Sequence, residues 1–241
     1  MRTFFPMIIF AFALFQNAYS QSMQTISDTF DNSVGLHNLG LNNGTVHLNT
    51  DKSENKTHRY YESDKYLAGS VYYDGQYYAH VDLKYDIDQD IVVAKVAGEF
   101  NNTGINLITP KTASFQIGNK TFVNLNYQNA NVPEFLKGFY ELATYQNGLK
   151  LYIKNHKSRV NILNEKGQFT NFETSDSFVL FYRNNYFELR SQNSFLEIFP
   201  KSEVKIRKFY QSARDLEKSD QKQFTKNLLQ YIGTFPETEI E

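Results

Sequence analysis

The sequence predicts a mainly β fold with a smaller α part: an antiparallel meander of hairpins, forming a sheet, a sandwich or a partly closed barrel, followed by two C-terminal helices. Three observations predict it. Short runs that alternate apolar and polar residues recur between turn dipeptides. The 17 Tyr and 21 Phe residues are of types that strands favour. After residue 201 the spacing of apolar residues becomes helical.

The first twenty residues are similar to a secretory signal peptide. A basic residue precedes the apolar run 4–15, and Ala18-Tyr19-Ser20 places small residues where signal peptidase needs them. The apolar run is shorter than the about 20 residues that a membrane-spanning helix needs. We therefore expect residues 1–20 to be removed, so that an exported mature chain begins at Gln21 without a transmembrane segment.

The composition bears on the compartment in which the protein works and on the partners that it can have. The chain has 25 basic and 26 acidic residues and a net charge of −1, with no basic patch for nucleic acid. It has no cysteine. Because small exported eukaryotic domains usually carry disulfides, their absence favours a bacterial exported protein with a self-sufficient core. Catalysis by a cysteine nucleophile is excluded.

The chain divides into one domain with polar ends. Residues 21–57 are rich in Asn, Ser, Thr and Asp and predict a polar N-terminal arm. Residues 58–233 predict a single β-rich domain with C-terminal helices, since no long linker interrupts them. Residues 234–241 predict a frayed tail.

The clearest hairpin turns at Asp74-Gly75, because a type I′ turn needs positive φ at both central residues. This turn pairs Val71 with Tyr78. Strict alternation along the second strand then places Tyr78, His80 and Asp82 on one wet face. Asp88-Gln89-Asp90 turns the chain into a third strand.

Further hairpins follow. Residues 114–123 turn at Gly118-Asn119. Residues 139–154 turn at Asn147-Gly148, which sets Glu141 opposite Lys154 as a cross-strand charge pair. Residues 178–190 turn at Asn184-Asn185, with Leu180 opposite Leu189. Residues 156–174 are polar and predict an excursion from the sheet.

Two helices are expected after Ser202. Apolar residues fit roughly one helical face over 204–213, and a stronger amphipathic stripe follows over 224–232. Asp220 is a suitable start for the second helix, and Gly233 is a natural stop.

Several motifs together resemble a family of uncharacterised exported proteins of Bacteroidota. They are G-S-V-x-Y-D-G-x-x-Y at 69–78, V-x-L-x-Y-D at 81–86, D-x-V-V at 90–93 and G-F-Y-E-L at 138–142, followed by a late hairpin and a basic helical end. The resemblance covers about residues 43–233. It implies a bacterial exported protein of β-rich fold and brings no catalytic residues. Many secreted proteins of that phylum end in a β-sandwich sorting domain, whereas this chain is expected to end in a helix. The resemblance therefore favours the periplasm over the extracellular medium.

The candidate ligand-binding residues are Tyr73, Tyr78, His80 and Asp82. Rings on strands can stack on sugars, and a histidine beside carboxylates can bind a metal or move a proton. Sheet packing and a solvated strand face account for the same residues more simply. We therefore expect no metal site, no cofactor and no catalytic residue.

Residues 86–90 also resemble the start of a calcium-binding loop, with three aspartates at alternating positions. An EF-hand needs glycine at the sixth position and a bidentate glutamate at the twelfth, which here are Ile91 and Ala97. The pattern therefore predicts a solvated turn.

Function stays open among three classes. The first is a non-enzymatic periplasmic binding or interaction module, with an unknown protein or small molecule of the cell envelope as partner. The second is a carrier of a lipid or another apolar ligand, with the sheet curled around a cavity. The third is a hydrolase of glycans or peptides that acts through paired carboxylates, which sequence alone cannot locate.

Overall fold

A computed structural model describes residues 40–53, 56–95 and 103–236. The predicted signal peptide lies outside these residues, as does most of the predicted polar arm. The described chain forms thirteen strands. They are β1 (Thr45–Val46), β2 (Leu67–Tyr73), β3 (Gln76–Asp86), β4 (Ile91–Lys95), β5 (Gly104–Asn106), β6 (Thr112–Ile117), β7 (Lys120–Asn124), β8 (Phe139–Thr144), β9 (Lys150–Lys154), β10 (Lys157–Asn164), β11 (Gly167–Thr174), β12 (Ser177–Tyr182) and β13 (Asn185–Leu189).

Eleven of these strands form one antiparallel sheet in the order β1-β5-β4-β3-β2-β6-β7-β8-β9-β12-β13. Most neighbours in the sheet are also neighbours in sequence, which confirms the predicted meander. The order ends at β1 and β13, so the described sheet is open and does not close into a barrel. Strands β10 and β11 form a separate two-stranded hairpin where the sequence predicted a polar excursion.

Four α-helices follow the strands in the described residues, whereas the sequence predicts two. They are α1 (Gln192–Ile198), α2 (Glu203–Ser212), α3 (Arg214–Ser219) and α4 (Gln221–Gly233). An unpredicted helix precedes Pro200, and the backbone leaves helical geometry at Ala213, which separates α2 from α3. The predicted ends of the last helix are confirmed, since the Asp220 side chain accepts a hydrogen bond from the Gln223 amide and the helix stops at Gly233.

The Asp74-Gly75 turn is confirmed. Both residues have positive φ, 49° and 82°, and the pairs Val71–Tyr78 and Tyr73–Gln76 have the predicted register. The strict alternation predicted beyond this point is wrong. Gly69 pairs with Val81 although Val71 pairs with Tyr78, so β3 contains one extra residue, a β-bulge.

The bulge reverses which residues face the core. His80 lies in it with a φ of 53°. Before the bulge Tyr78 is buried, and after it Leu83 and Tyr85 are buried, so even positions face inward first and odd positions afterwards. Tyr78 therefore lies in the core and not on a wet face with His80 and Asp82.

The predicted register of the β8–β9 hairpin is also wrong, by one residue. The loop is a three-residue 3-10 turn, Gln146–Gly148, instead of two residues. Glu141 consequently pairs with Ile153 and not with Lys154. Its side chain lies on the core face of the sheet, where the prediction had placed an exposed charge pair.

The last hairpin turns at Arg183-Asn184, one residue before the predicted dipeptide. Both turn residues have positive φ, 48° and 62°. Leu180 therefore pairs with Phe187 and not with Leu189. The two-residue shift keeps every side chain on its predicted face. The Gly118-Asn119 turn is confirmed, with Ile117 opposite Lys120.

Two apolar cores lie on one face of the sheet. In the first, aromatic rings fill the space over β3, β6, β7 and β8, where the Phe115 and Phe122 rings stack at 4.6 Å and the Tyr85 ring meets both edge-on. In the second, the four helices cover β9, β12 and β13. Leu151 and Ile153 of β9 point to the helices, so Tyr152 and Lys154 point to the opposite face.

Candidate functional site

The four residues predicted to bind a ligand do not share one surface. The side chains of Tyr73 and Tyr78 are core residues, with 1% and 4% of their surface exposed. His80 and Asp82 are exposed on β3, and Asp82 forms an ion pair with Lys95 at 3.7 Å. A binding role for His80 and Asp82 stays a prediction, since their position neither requires nor opposes it.

A groove of about 810 Å³ lies elsewhere, on the face of the sheet opposite the helices. It crosses the ends of β8, β9, β12 and β13 and reaches the turn between β3 and β4. The groove is lined by Asp88, Gln89, Asp90, Thr109, Asn126, Glu134, Phe135, Lys137, Gly138, Tyr140, Lys154, His156, Ser177, Glu188 and Arg190.

Both carboxylate oxygens of Asp90, at one end of the groove, are hydrogen-bonded. Its Oδ1 accepts a hydrogen bond from the buried Tyr85 hydroxyl at 2.6 Å. Its Oδ2 accepts from Lys154 Nζ at 2.5 Å and from the Phe139 amide at 3.3 Å. Because both oxygens have donors, Asp90 ties the β3–β4 turn to β8 and β9 and sets the floor of the groove at this end.

Gly138 makes this arrangement possible. A Cβ at this position would lie 1.8 Å from Asp90 Oδ2 and 2.5 Å from Lys154 Nζ, and the residue has a φ of 84°. A side chain here would meet the backbone penalty of a positive φ and would displace the Asp90 carboxylate or the Lys154 amine from their ion pair. The glycine of the GFYEL motif is therefore required by the ion pair beside it.

The charged side chains of the groove neutralise one another. Three ion pairs face it, Lys154–Asp90 at 2.5 Å, Lys137–Glu134 at 2.6 Å and Arg190–Glu188 at 2.7 Å. Lys154 Nζ also lies 4.9 Å from the centre of the Tyr140 ring. Burial raises the pKa of Tyr140, whose hydroxyl donates to the Phe135 carbonyl at 2.7 Å. The groove therefore offers a ligand little uncompensated charge.

Uncharged groups remain for recognition. The side chains of Gln89, Thr109 and Ser177 have no bonding partner among the described residues. His156 Nδ1 lies 3.0 Å from the Ile87 carbonyl. A carbonyl only accepts, so Nδ1 carries a hydrogen, and in a neutral ring Nε2 is then an acceptor. This set of donors and acceptors suits a polar ligand without net charge.

Two of the three aspartates of the predicted turn, Asp86 and Asp88, lie against arginines. Arg59 Nε lies 2.7 Å from the fully buried Asp86, and its other nitrogens lie 3.2 Å from Asp51 and Asp88. Arg159 of β10 reaches Asp88 at 2.7 Å and Asp51 at 3.0 Å. Burial raises the pKa of Asp86, while Arg59 opposes the rise. This cluster holds the β10–β11 hairpin against the turn.

The described residues contain no group of three His, Asp or Glu side chains placed to hold a metal ion. None of the helices in this part of the chain is long and apolar enough to cross a membrane.

Sequence reasoning missed the groove. Its residues are spread from 88 to 190 and come from seven separate segments. Two sequence features belong to the groove: Gly138, a glycine where no turn is predicted, and the aspartate-rich turn that ends at Asp90. Neither feature indicates which distant residues it contacts in the folded chain.

Comparisons with known proteins return no match: the chain matches no family model, no curated protein sequence and no solved structure. The site is therefore interpreted from its own geometry.

Proposed function

We propose that the chain is an exported, non-enzymatic binding protein whose ligand occupies the groove. The observation that carries the proposal is the chemistry of the lining, where each charged side chain has an oppositely charged partner and the side chains of Gln89, Thr109 and Ser177 have no partner among the described residues. Such a lining fits recognition, because it positions a polar ligand without a strongly charged reactive group. Export to the periplasm rests on the signal-peptide pattern and on the resemblance to exported proteins of Bacteroidota.

The apolar carrier receives less support. The core over β3, β6, β7 and β8 is filled by rings whose centres lie 4.6–6.0 Å apart. A lipid would have to displace these rings, because side chains already occupy the space between them. The groove itself is open, and most of its lining residues have polar or charged side chains, which does not suit an alkyl chain.

The carboxylate hydrolase has one observation in its favour, since Asp90 and Glu188 line the same groove. A general acid has to hold a proton that it can give away. Asp90 instead accepts from Lys154 and Tyr85, and Glu188 is paired with Arg190. Binding therefore ranks above hydrolysis.

Native mass spectrometry tests the proposal. The protein is purified gently from the envelope of the cells that produce it. Ser177→Trp would fill the groove from an exposed strand position, and Thr121→Trp is the matched control, exposed on β7 outside the groove. We expect wild type and Thr121→Trp to carry the same extra mass and Ser177→Trp to lose at least nine-tenths of it. A bare wild-type protein, or equal loading of both variants, contradicts the proposal.

A further inference from the structure

One edge of the sheet is open next to the groove. Strand β13 is last in the sheet order and pairs only with β12 among the described residues. It has five residues, whereas β1 at the opposite edge has two. Open edges invite pairing with other chains, and sheets usually protect them with proline, charged side chains (especially lysine) or very short strands. Residues 185–189 contain neither proline nor lysine, and their one charged side chain, Glu188, is paired with Arg190.

The register identifies which backbone groups are open. Arg183 and Asn184 form a two-residue loop, so the closing pair Tyr182–Asn185 is hydrogen-bonded, and hydrogen-bonded pairs then alternate along the hairpin. Phe187 therefore bonds to β12. The N–H and C=O groups of Tyr186 and Glu188 point outward, away from β12.

The open edge continues into the groove. The Tyr186 side chain is 39% exposed. Glu188, on the same face of β13, lines the groove together with Arg190. A strand added beside β13 would place the side chain opposite Glu188 at the mouth of the groove, because cross-strand neighbours share a face.

We propose that the ligand is an extended segment of another polypeptide, which adds to β13 as a further strand and directs uncharged polar side chains into the groove. This inference rests on the proposed function. Outward N–H and C=O groups at alternate residues are complementary to a strand and to few other ligands. The Tyr140 ring offers a sugar no face for stacking, because it is buried and Lys154 lies over it.

The test uses a phage-displayed library of random dodecapeptides, panned against the purified chain. The selected sequences are then synthesised, and their affinity is measured by calorimetry. Tyr186→Pro removes an outward N–H at an edge, where proline is tolerated, and Tyr186→Ala is its matched control. We expect Tyr186→Pro to weaken binding at least tenfold and Tyr186→Ala to weaken it less than threefold.

N-methylated peptides give an independent measurement on the wild-type chain. Methylation of the alternate peptide amides that face β13 should weaken binding at least tenfold. Methylation of the intervening amides, which point away from β13, should have little effect. Failure to enrich any peptide, or equal affinity of both methylated forms, overturns the inference. So does a concentration-dependent dimer that Tyr186→Pro abolishes, since a second copy would then occupy the edge.

The two proposals fail in different ways. If Ser177→Trp abolishes the envelope ligand but Tyr186→Pro does not, the groove binds something other than a strand, and the inference alone is wrong. If peptides bind in the edge-dependent way and Ser177→Trp alters neither them nor the envelope ligand, the edge is a site and the proposed function of the groove is wrong.

Discussion

At the scale of single residues, two buried tyrosines show why similar side chains have different roles. The Tyr85 hydroxyl donates to Asp90, and burial raises its pKa well above the usual range. The Tyr73 hydroxyl is equally buried but has no hydrogen-bond partner in the described chain. A buried polar group stabilises a fold only when it is hydrogen-bonded.

Removal of the two hydroxyls should therefore have opposite effects. We expect Tyr85→Phe to lower the free energy of unfolding by about 1–3 kcal/mol, because it leaves Asp90 with one donor fewer. Tyr73→Phe should leave stability unchanged or raise it by about 1 kcal/mol, because it removes an unsatisfied group. Urea unfolding of both variants measures the difference, and equal destabilisation by the two substitutions would contradict the assignment.

Also at this scale, the sequence reveals turn chemistry better than side-chain environment. Asp74-Gly75 was located correctly, because two adjacent residues with positive φ have a recognisable composition. The Arg183-Asn184 loop was missed, because arginine is not a residue type that indicates positive φ, although it adopts that geometry here. The bulge at His80 was missed for a related reason: nothing in an alternating pattern marks the residue that will break it.

At the scale of elements, a buried ion network joins the last helix to the sheet. Glu141 of β8 is 2% exposed, and its carboxylate meets Lys222 at 2.8 Å and Lys226 at 2.7 Å, both on α4. Lys120 of β7 lies 3.6 Å away. Burial alone would raise the pKa of Glu141, but the hydrogen bonds and charges of the two α4 lysines outweigh it and lower the pKa to about 2.

Glu141→Gln should destabilise the protein by about 3 kcal/mol, since a lowering of the pKa from 4.5 to about 2 corresponds to that free energy. A depressed pKa means that the contribution is complete above pH 4.5 and is lost as pH falls toward 2. Wild type should therefore lose this stability across that window, and Glu141→Gln should not.

Glu203→Gln is the control for this network, because its ion pair with Arg207 is half exposed on both sides. We expect it to change stability by no more than about 0.5 kcal/mol. Urea unfolding at pH 7 and at pH 3 measures both variants. A Glu141→Gln variant as stable as Glu203→Gln at pH 7 would contradict the role of the network.

The sequence placed strands and helices at this scale but not their partners. A three-residue loop in place of a two-residue loop moved Glu141 from a predicted surface pair into the core. The helix stripe at 224–232 was recognisable, whereas the contact of Lys222 and Lys226 with a carboxylate 81–85 residues away was not. Local patterns specify an element, and the contacts between elements depend on register.

At the scale of the whole molecule, the open sheet explains where a ligand can bind. The helices and the two larger apolar cores occupy one face, whereas the groove and a smaller apolar cluster around Tyr140, Tyr152 and Val179 lie on the other face, with β13 at the edge. The meander could be predicted from recurring hairpins. The groove could not, because it exists only when β8, β9, β12 and β13 lie side by side and the β3–β4 turn meets them.

Site-specific photo-crosslinking in cells that produce the protein tests the binding role of the groove most directly. A benzophenone side chain replaces Gln89 in the groove, Tyr186 at the edge, or Thr121 on β7 as the control. We predict one common adduct from positions 89 and 186 and none from position 121, with the adduct at position 89 lost when Ser177→Trp is added. No adduct at position 89, or the same adducts from all three positions, would contradict the assignment of the groove as the binding site.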